Sequence, residues 1–172
     1  MAVYRSVHLS FWTDNKIEDD FTSEDKFFYL YLLTNPATNI CGCYEISFKN
    51  FCGHTGYTKE KILEMIKKFQ DKYKMIAYNE DTKEILILKW YRYNWSKSEK
   101  TLVGVESVAQ YIKCERFRKY IFAIVDDIRK DNPKVDTADK GHKRPNTKNK
   151  FNNFQQREYD MEKLEKYLIN KQ

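Results

Sequence analysis

Thr58-Lys-Glu-Lys-Ile-Leu-Glu-Met-Ile-Lys-Lys-Phe-Gln-Asp-Lys-Tyr73 is the stretch on which the fold turns. Thr58 is a helix N-cap, its hydroxyl placed to accept an orphan backbone N–H. Ile62, Ile66, Phe69 and Tyr73 recur at helical spacing, so the helix buries one narrow stripe. Lys61, Lys68 and Lys72 form a second stripe, read as basic and solvent-facing. Glu60, Glu64 and Asp71 lie beside Lys67 on a third.

Upstream, Ser47 caps a helix over Phe48 to His54, and Gly56 supplies the break between the two. Cys43-Tyr-Glu-Ile46 reads as a short strand. Thr22-Ser-Glu-Asp25 opens an earlier helix, with acids at its positive end. Phe27 to Leu33 makes that helix apolar almost all round, hence central, and Asn35-Pro36 stops it. Downstream, Met75-Ile-Ala-Tyr-Asn79 and Glu84-Ile-Leu-Ile-Leu-Lys-Trp90 are two strands joined by Glu80-Asp-Thr-Lys83. Ile and Leu occupy both parities of the second, which predicts cover on both faces. Helix, strand, helix, turn, helix, hairpin is the order of a winged helix-turn-helix. The expected fold is mainly α with a small β-hairpin: a winged helix, then a helical extension and a flexible tail.

Four regions follow from composition: a winged-helix domain at 1–97, a helical extension at 98–131, a basic linker at 132–150 and a short tail helix at 151–172. Cys114 to Ile128 is amphipathic, with a shorter helix from Thr101 to Lys113 before it. This pair reads equally as a cap on the core or as an oligomerisation arm. The net charge of +6 favours an acidic partner. Its distribution is uneven, because residues 1–97 carry 14 bases against 13 acids while Lys140 to Lys150 holds five bases and no acid. No run is long enough to span a membrane, and the N-terminus lacks a signal-peptide pattern, so the expected compartment is cytoplasmic.

Several stretches resemble a known family. Ser10-Phe-Trp12, Lys26-Phe-Phe-Tyr-Leu-Tyr-Leu-Leu-Thr-Asn-Pro36, Cys41-Gly-Cys-Tyr-Glu45, Thr55-Gly-Tyr57 and Lys89-Trp-Tyr-Arg-Tyr-Asn-Trp95 are similar, in this order, to the N-terminal winged-helix domain of DnaD-like replication initiation proteins. These are replisome organisers of Firmicutes phages and mobile elements. Lys150-Phe-Asn-Asn-Phe-Gln-Gln-Arg-Glu-Tyr-Asp160 resembles their C-terminal tail. The resemblance covers residues 8–97 and 150–168. It implies DNA binding at a replication origin, self-association and recruitment of a replicative helicase or its loader. The chain departs from the longer members at 98–130, too short for their second, single-strand-binding helical domain.

The candidate contacts to double-stranded DNA are Thr58, Lys59, Lys61, Lys68, Lys72, Lys83 and Arg92. Lys59 and Lys61 stand nearest the helix start, where phosphates and base edges are reached. The aromatic ladder Trp90 to Trp95 packs a strand end or an interface, or stacks the bases of single-stranded DNA. In the tail, Asp160 caps a helix, Tyr159 staples onto Leu164, and Met161, Leu164 and Leu168 make a narrow stripe. Phe151, Phe154, Arg157, Tyr159, Leu164 and Leu168 are the candidate docking residues for a protein partner.

Cys41, Cys43, Cys52 and His54 have the spacing of a metal site. On a helix, however, Cys52 and His54 lie about 200° apart and do not converge on one ion. The cysteines read as packing, with no metal or cofactor expected. No glycine-rich phosphate loop, serine elbow or paired-carboxylate motif occurs, so the chain reads as a non-enzyme. The rival functions are a winged-helix transcriptional regulator and an interaction adaptor that has lost DNA binding.

Overall fold

The computed structural model describes residues 4–131. A turn of 3-10 helix at Leu9–Phe11 leads into α1 (Asn15–Asp20) and α2 (Ser23–Thr34). Then follow β1 (Cys43–Glu45), α3 (Phe48–Thr55), α4 (Lys59–Asp71), β2 (Ile76–Asn79) and β3 (Glu84–Ile87). The described part ends with α5 (Trp90–Asn94), α6 (Glu99–Ala109) and α7 (Glu115–Asp131). The three strands form one antiparallel sheet in the order β1-β3-β2. From α2 to β3 this is the winged helix-turn-helix order, and the protein is mainly helical around a small sheet.

The caps that set the helices are those written locally in the chain. Thr22 and Asp25 form a reciprocal capping box at the start of α2. Asn35 ends that helix, and its Nδ2 donates to the Tyr44 hydroxyl at 2.7 Å. That hydroxyl donates to the Leu32 carbonyl, also at 2.7 Å, which ties the end of α2 to β1. Ser47 caps α3, Gly56 closes it in the left-handed conformation at φ 75°, and Thr58 caps α4. Ile62, Ile66, Phe69 and Tyr73 are buried, as is Met65.

The sheet is the middle layer. Cys43, Leu86 and Ala77 lie opposite one another on one face, while Tyr44, Ile85 and Tyr78 lie opposite one another on the other. Tyr44, Ile85, Ile87 and Ile76 pack with Phe28, Leu32, Phe51, Ile62 and Phe69 from α2, α3 and α4. Cys43 and Leu86 pack instead with Leu102, Val105, Phe117, Ile121 and Val125 from α6 and α7. Two-sided cover explains why every residue of β3 is buried. The hairpin therefore forms an inner layer rather than a freely projecting wing.

Residues of α6 and α7 cover the second face of the sheet, and Trp95, just ahead of them, packs against both clusters. A long-range cap fixes the helix in place. The Glu84 side chain, buried on β3, accepts from the backbone N–H of Lys113 at 2.8 Å and of Cys114 at 2.7 Å, at the entrance to α7. α6 begins and ends earlier than the pattern suggests, at Glu99 and Ala109.

The end of the second strand also differs from expectation. β3 stops at Ile87, and Trp90 to Asn94 form α5 rather than a strand end. Lys89 takes the left-handed conformation at φ 62° and turns the chain. The turn lets the indole N–H groups of Trp90 and Trp95 both donate to the Ile40 carbonyl, at 2.9 and 2.6 Å. Gly42, at φ 66°, lies beneath Trp90, and a Cβ there would stand 2.3 Å from the ring. The Cys41-Gly-Cys43 segment is thus a seat for a tryptophan.

Both sheet edges are blunted by side-chain amides. Asn39 Nδ2 donates to the outward carbonyl of Cys43 at 2.6 Å, and Gln70 Oε1 accepts from the outward N–H of Tyr78 at 2.9 Å.

Candidate nucleic-acid interface

The turn Gly56-Tyr57 hands the chain from α3 to α4, leaving Thr58 and Lys59 exposed at the start of α4. The Thr58 hydroxyl accepts from the Lys61 N–H at 3.2 Å. Lys59 Nζ lies 5.4 Å from the centre of the Phe48 ring. The outer face of α4 carries Lys59, Glu60, Leu63, Glu64, Lys67, Gln70 and Asp71, all exposed. Its two lysines face three acids, so this face is close to neutral.

Of the expected basic stripe, Lys72 is exposed, while Lys61 and Lys68 are partly buried against acids. Lys61 Nζ sits 3.2 Å from Glu24 and 3.6 Å from Glu64. The Glu24 carboxylate holds the Lys61 ammonium above its ordinary value. Lys68 is only partly exposed, and its Nζ donates to both oxygens of Asp25, at 2.7 and 2.8 Å. Lys72 lies 5.1 Å from the Tyr73 ring centre. The reason is geometric. The side of α4 adjoining its buried stripe faces the first turn of α2, where acids gather at the positive helix end.

Asp25 is the node of that contact. It is fully buried and accepts from Lys68, from the Thr22 N–H at 3.0 Å, from the Thr22 hydroxyl at 2.8 Å and from the Tyr73 hydroxyl at 2.9 Å. Burial pushes the carboxyl up, but the Lys68 ammonium and the Thr22 and Tyr73 donors outweigh it and hold it below its ordinary value. For Lys68, burial pushes the ammonium down, and Asp25 more than reverses this. An ion pair satisfied this fully locks α2 to α4.

Lys83 and Arg92 stand at opposite ends of β3. Lys83 is exposed at the hairpin tip in the left-handed conformation, φ 53°, next to the exposed acids Glu80 and Asp81. Arg92 lies on α5, and its buried Nε has no hydrogen-bond partner among the described residues. The docking residues Phe151, Phe154, Arg157, Tyr159, Leu164 and Leu168 lie outside the described residues, as does the basic linker.

The cysteine cluster disperses. Cys41 and Cys43 are buried with α6 and α7, and the Cys41 thiol donates to the Val105 carbonyl at 3.3 Å. Burial pushes the Cys41 thiol up to about 12 and raises that of Cys43 as well, so both stay protonated at neutral pH. Cys52 packs on the other cluster, and His54 Nδ1 is 2.9 Å from the Tyr31 hydroxyl. Among the described residues no three His, Cys, Asp or Glu side chains come together as a metal site. No helix of the described residues is long and apolar enough to cross a membrane.

Sequence reasoning missed the internal use of Lys61 and Lys68. A usable signal was present: an aspartate in the first turn of an all-round apolar helix is buried and needs a cation. No family model, no curated protein and no solved structure matches the chain.

Proposed function

We propose that the chain is a DNA-binding protein that helps to start replication, a replisome organiser of a phage or mobile element. The observation that carries DNA binding is the capped α3–turn–α4 unit, which presents the exposed start of α4 beside a three-stranded sheet. Helix N-termini of this kind supply orphan N–H groups to phosphates, and the adjoining side chains reach base edges. Replication, a helicase or loader as partner and self-association rest on the sequence resemblance. The contacts differ from the first expectation in part: Thr58 and Lys59 are kept, and Lys67 takes the place of Lys61 and Lys68, whose ammonium groups are engaged by acids. With no arginine on α4 for bidentate guanine recognition, phosphate contact dominates and sequence selectivity is weak.

The near-neutral outer face of α4 favours a second reading, an adaptor that keeps the fold without binding DNA. A gel shift with a random-sequence duplex at two salt concentrations separates them. The DNA-binding reading expects salt-sensitive binding that Lys59→Ala with Lys67→Ala weakens, with a salt slope lower by about 2. Absence of any duplex binding at low salt makes the adaptor reading the correct one.

A further inference from the structure

The N-terminal segment and the α5 segment meet on a face that neither α4 nor the sheet uses. Arg5 Cζ lies 6.0 Å from the centre of the Trp90 ring, and the His8 and Tyr93 rings are 5.9 Å apart. The Arg5 guanidinium also donates to the Thr38 carbonyl at 2.6 Å, which pins the segment down. Three aromatic rings stand out to solvent here: Tyr4 is 81% exposed, Trp12 56% and Tyr93 51%. Phe11 holds Trp12 edge-on at 5.0 Å.

The charge of this face is unlike that of the rest. Residues 4–13 and 89–98 together carry Arg5, Lys89, Arg92 and Lys97 and no acid at all, in a chain with 25 acids against 31 bases. Beside Tyr93, the buried Nε of Arg92 lacks a hydrogen-bond partner among the described residues.

We infer that this face binds single-stranded nucleic acid, its bases stacking on Trp12, Tyr93 and Tyr4 and its phosphates meeting Arg92, Arg5 and Lys97. Exposed rings interleaved with cations are the chemistry of single-strand binding, because every unpaired base offers a π-face whatever its identity. A duplex hides those faces and gives the rings nothing. A protein partner would suit the exposed rings, but four cations and no acid within residues 4–13 and 89–98 are a balance matched to phosphate. The site is separate from α4 and does not depend on duplex binding there.

The test uses the full chain and a fluorescently labelled 20-mer of oligothymidylate, followed by anisotropy. Trp12→Ala and Tyr93→Ala each weaken binding by about 5- to 100-fold. Tyr93→Phe, which keeps the ring, restores it. Arg92→Gln weakens binding and lowers the salt slope by about 0.7. An abasic oligomer of equal length binds the unaltered protein more weakly, a comparison that needs no variant to fold. Lys119→Ala, on α7, leaves the affinity unchanged. The inference is overturned if the oligothymidylate does not bind, or if it binds as well as before to the Ala variants or as well when abasic. It is overturned too if Trp12→Ala and Tyr93→Ala change sedimentation but not oligomer binding, which makes the face a self-association surface.

Discussion

Replacing Lys68 by Met keeps the aliphatic stem and removes the ammonium that meets Asp25 at 2.7 Å. Breaking a buried ion pair by deleting one partner costs about 3–5 kcal/mol, because the other charge stays buried. Two features reduce that figure. The Lys68 side chain is 31% exposed, so water reaches its end of the pair, and Thr22 and Tyr73 continue to serve the carboxylate. The expected loss is about 2 kcal/mol, the worth of a hydrogen bond to a charged group. It should appear as a lower urea midpoint with an unchanged slope. Asp25→Asn in the same background should restore part of the loss, since no charge is then left alone. The pair should show a coupling of about 1–2 kcal/mol in the double-mutant cycle. The pH dependence has a definite sign. The folded carboxyl titrates below its ordinary value of 3.8, so its contribution is present above that value and is lost as pH falls through the folded one. Acid destabilisation below about pH 4 should be shallower in Asp25→Asn. If Lys68→Met leaves the urea midpoint unmoved and lowers only duplex affinity, Lys68 serves DNA and this reasoning is wrong.

Three further outcomes are expected. Glu84→Ala removes the acceptor for two N–H groups at the start of α7, which should cost about 2–4 kcal/mol in chemical denaturation. Amide exchange should quicken first at residues 113–118, and equal protection there would contradict a tertiary cap. Gly42→Ala places a Cβ 2.3 Å from Trp90 in a left-handed backbone, so it should lose about 3 kcal/mol or more, with a changed near-ultraviolet dichroism from the displaced indole. Lys83→Gly relieves a left-handed non-glycine residue at the hairpin tip and should raise the denaturation midpoint by the equivalent of about 1 kcal/mol; a fall would mean that the lysine side chain stabilises the turn.

The elements of this protein are written in short-range chemistry, which a linear chain displays. Thr22, Ser47 and Thr58 cap the helices they precede, Asn35 and Gly56 end the ones they follow, and apolar residues on both parities of β3 announce two-sided burial. Such signals depend on neighbours within four or five positions, so they survive without a fold. The separation of Cys52 from His54 was legible for the same reason: it is a property of one helix.

Partnerships across the chain were not legible, because hydropathy treats a lysine as exposed until a buried acid is brought to it. Lys68 meets Asp25 across 43 positions, Glu84 caps α7 across 30, and Arg5 reaches Trp90 only once α5 has turned at Lys89. The amino-acid sequence by itself determined α2, α3, α4, the hairpin, α6 and α7 and their order, but not α1 or the helical turn of α5. Only the tertiary structure decided which lysines are free to meet a phosphate, since that depends on what each helix face is packed against. It also placed residues 98–131 against the second face of the sheet. An amphipathic helix specifies that it must bury a stripe, while the surface that receives the stripe exists only once the sheet has formed.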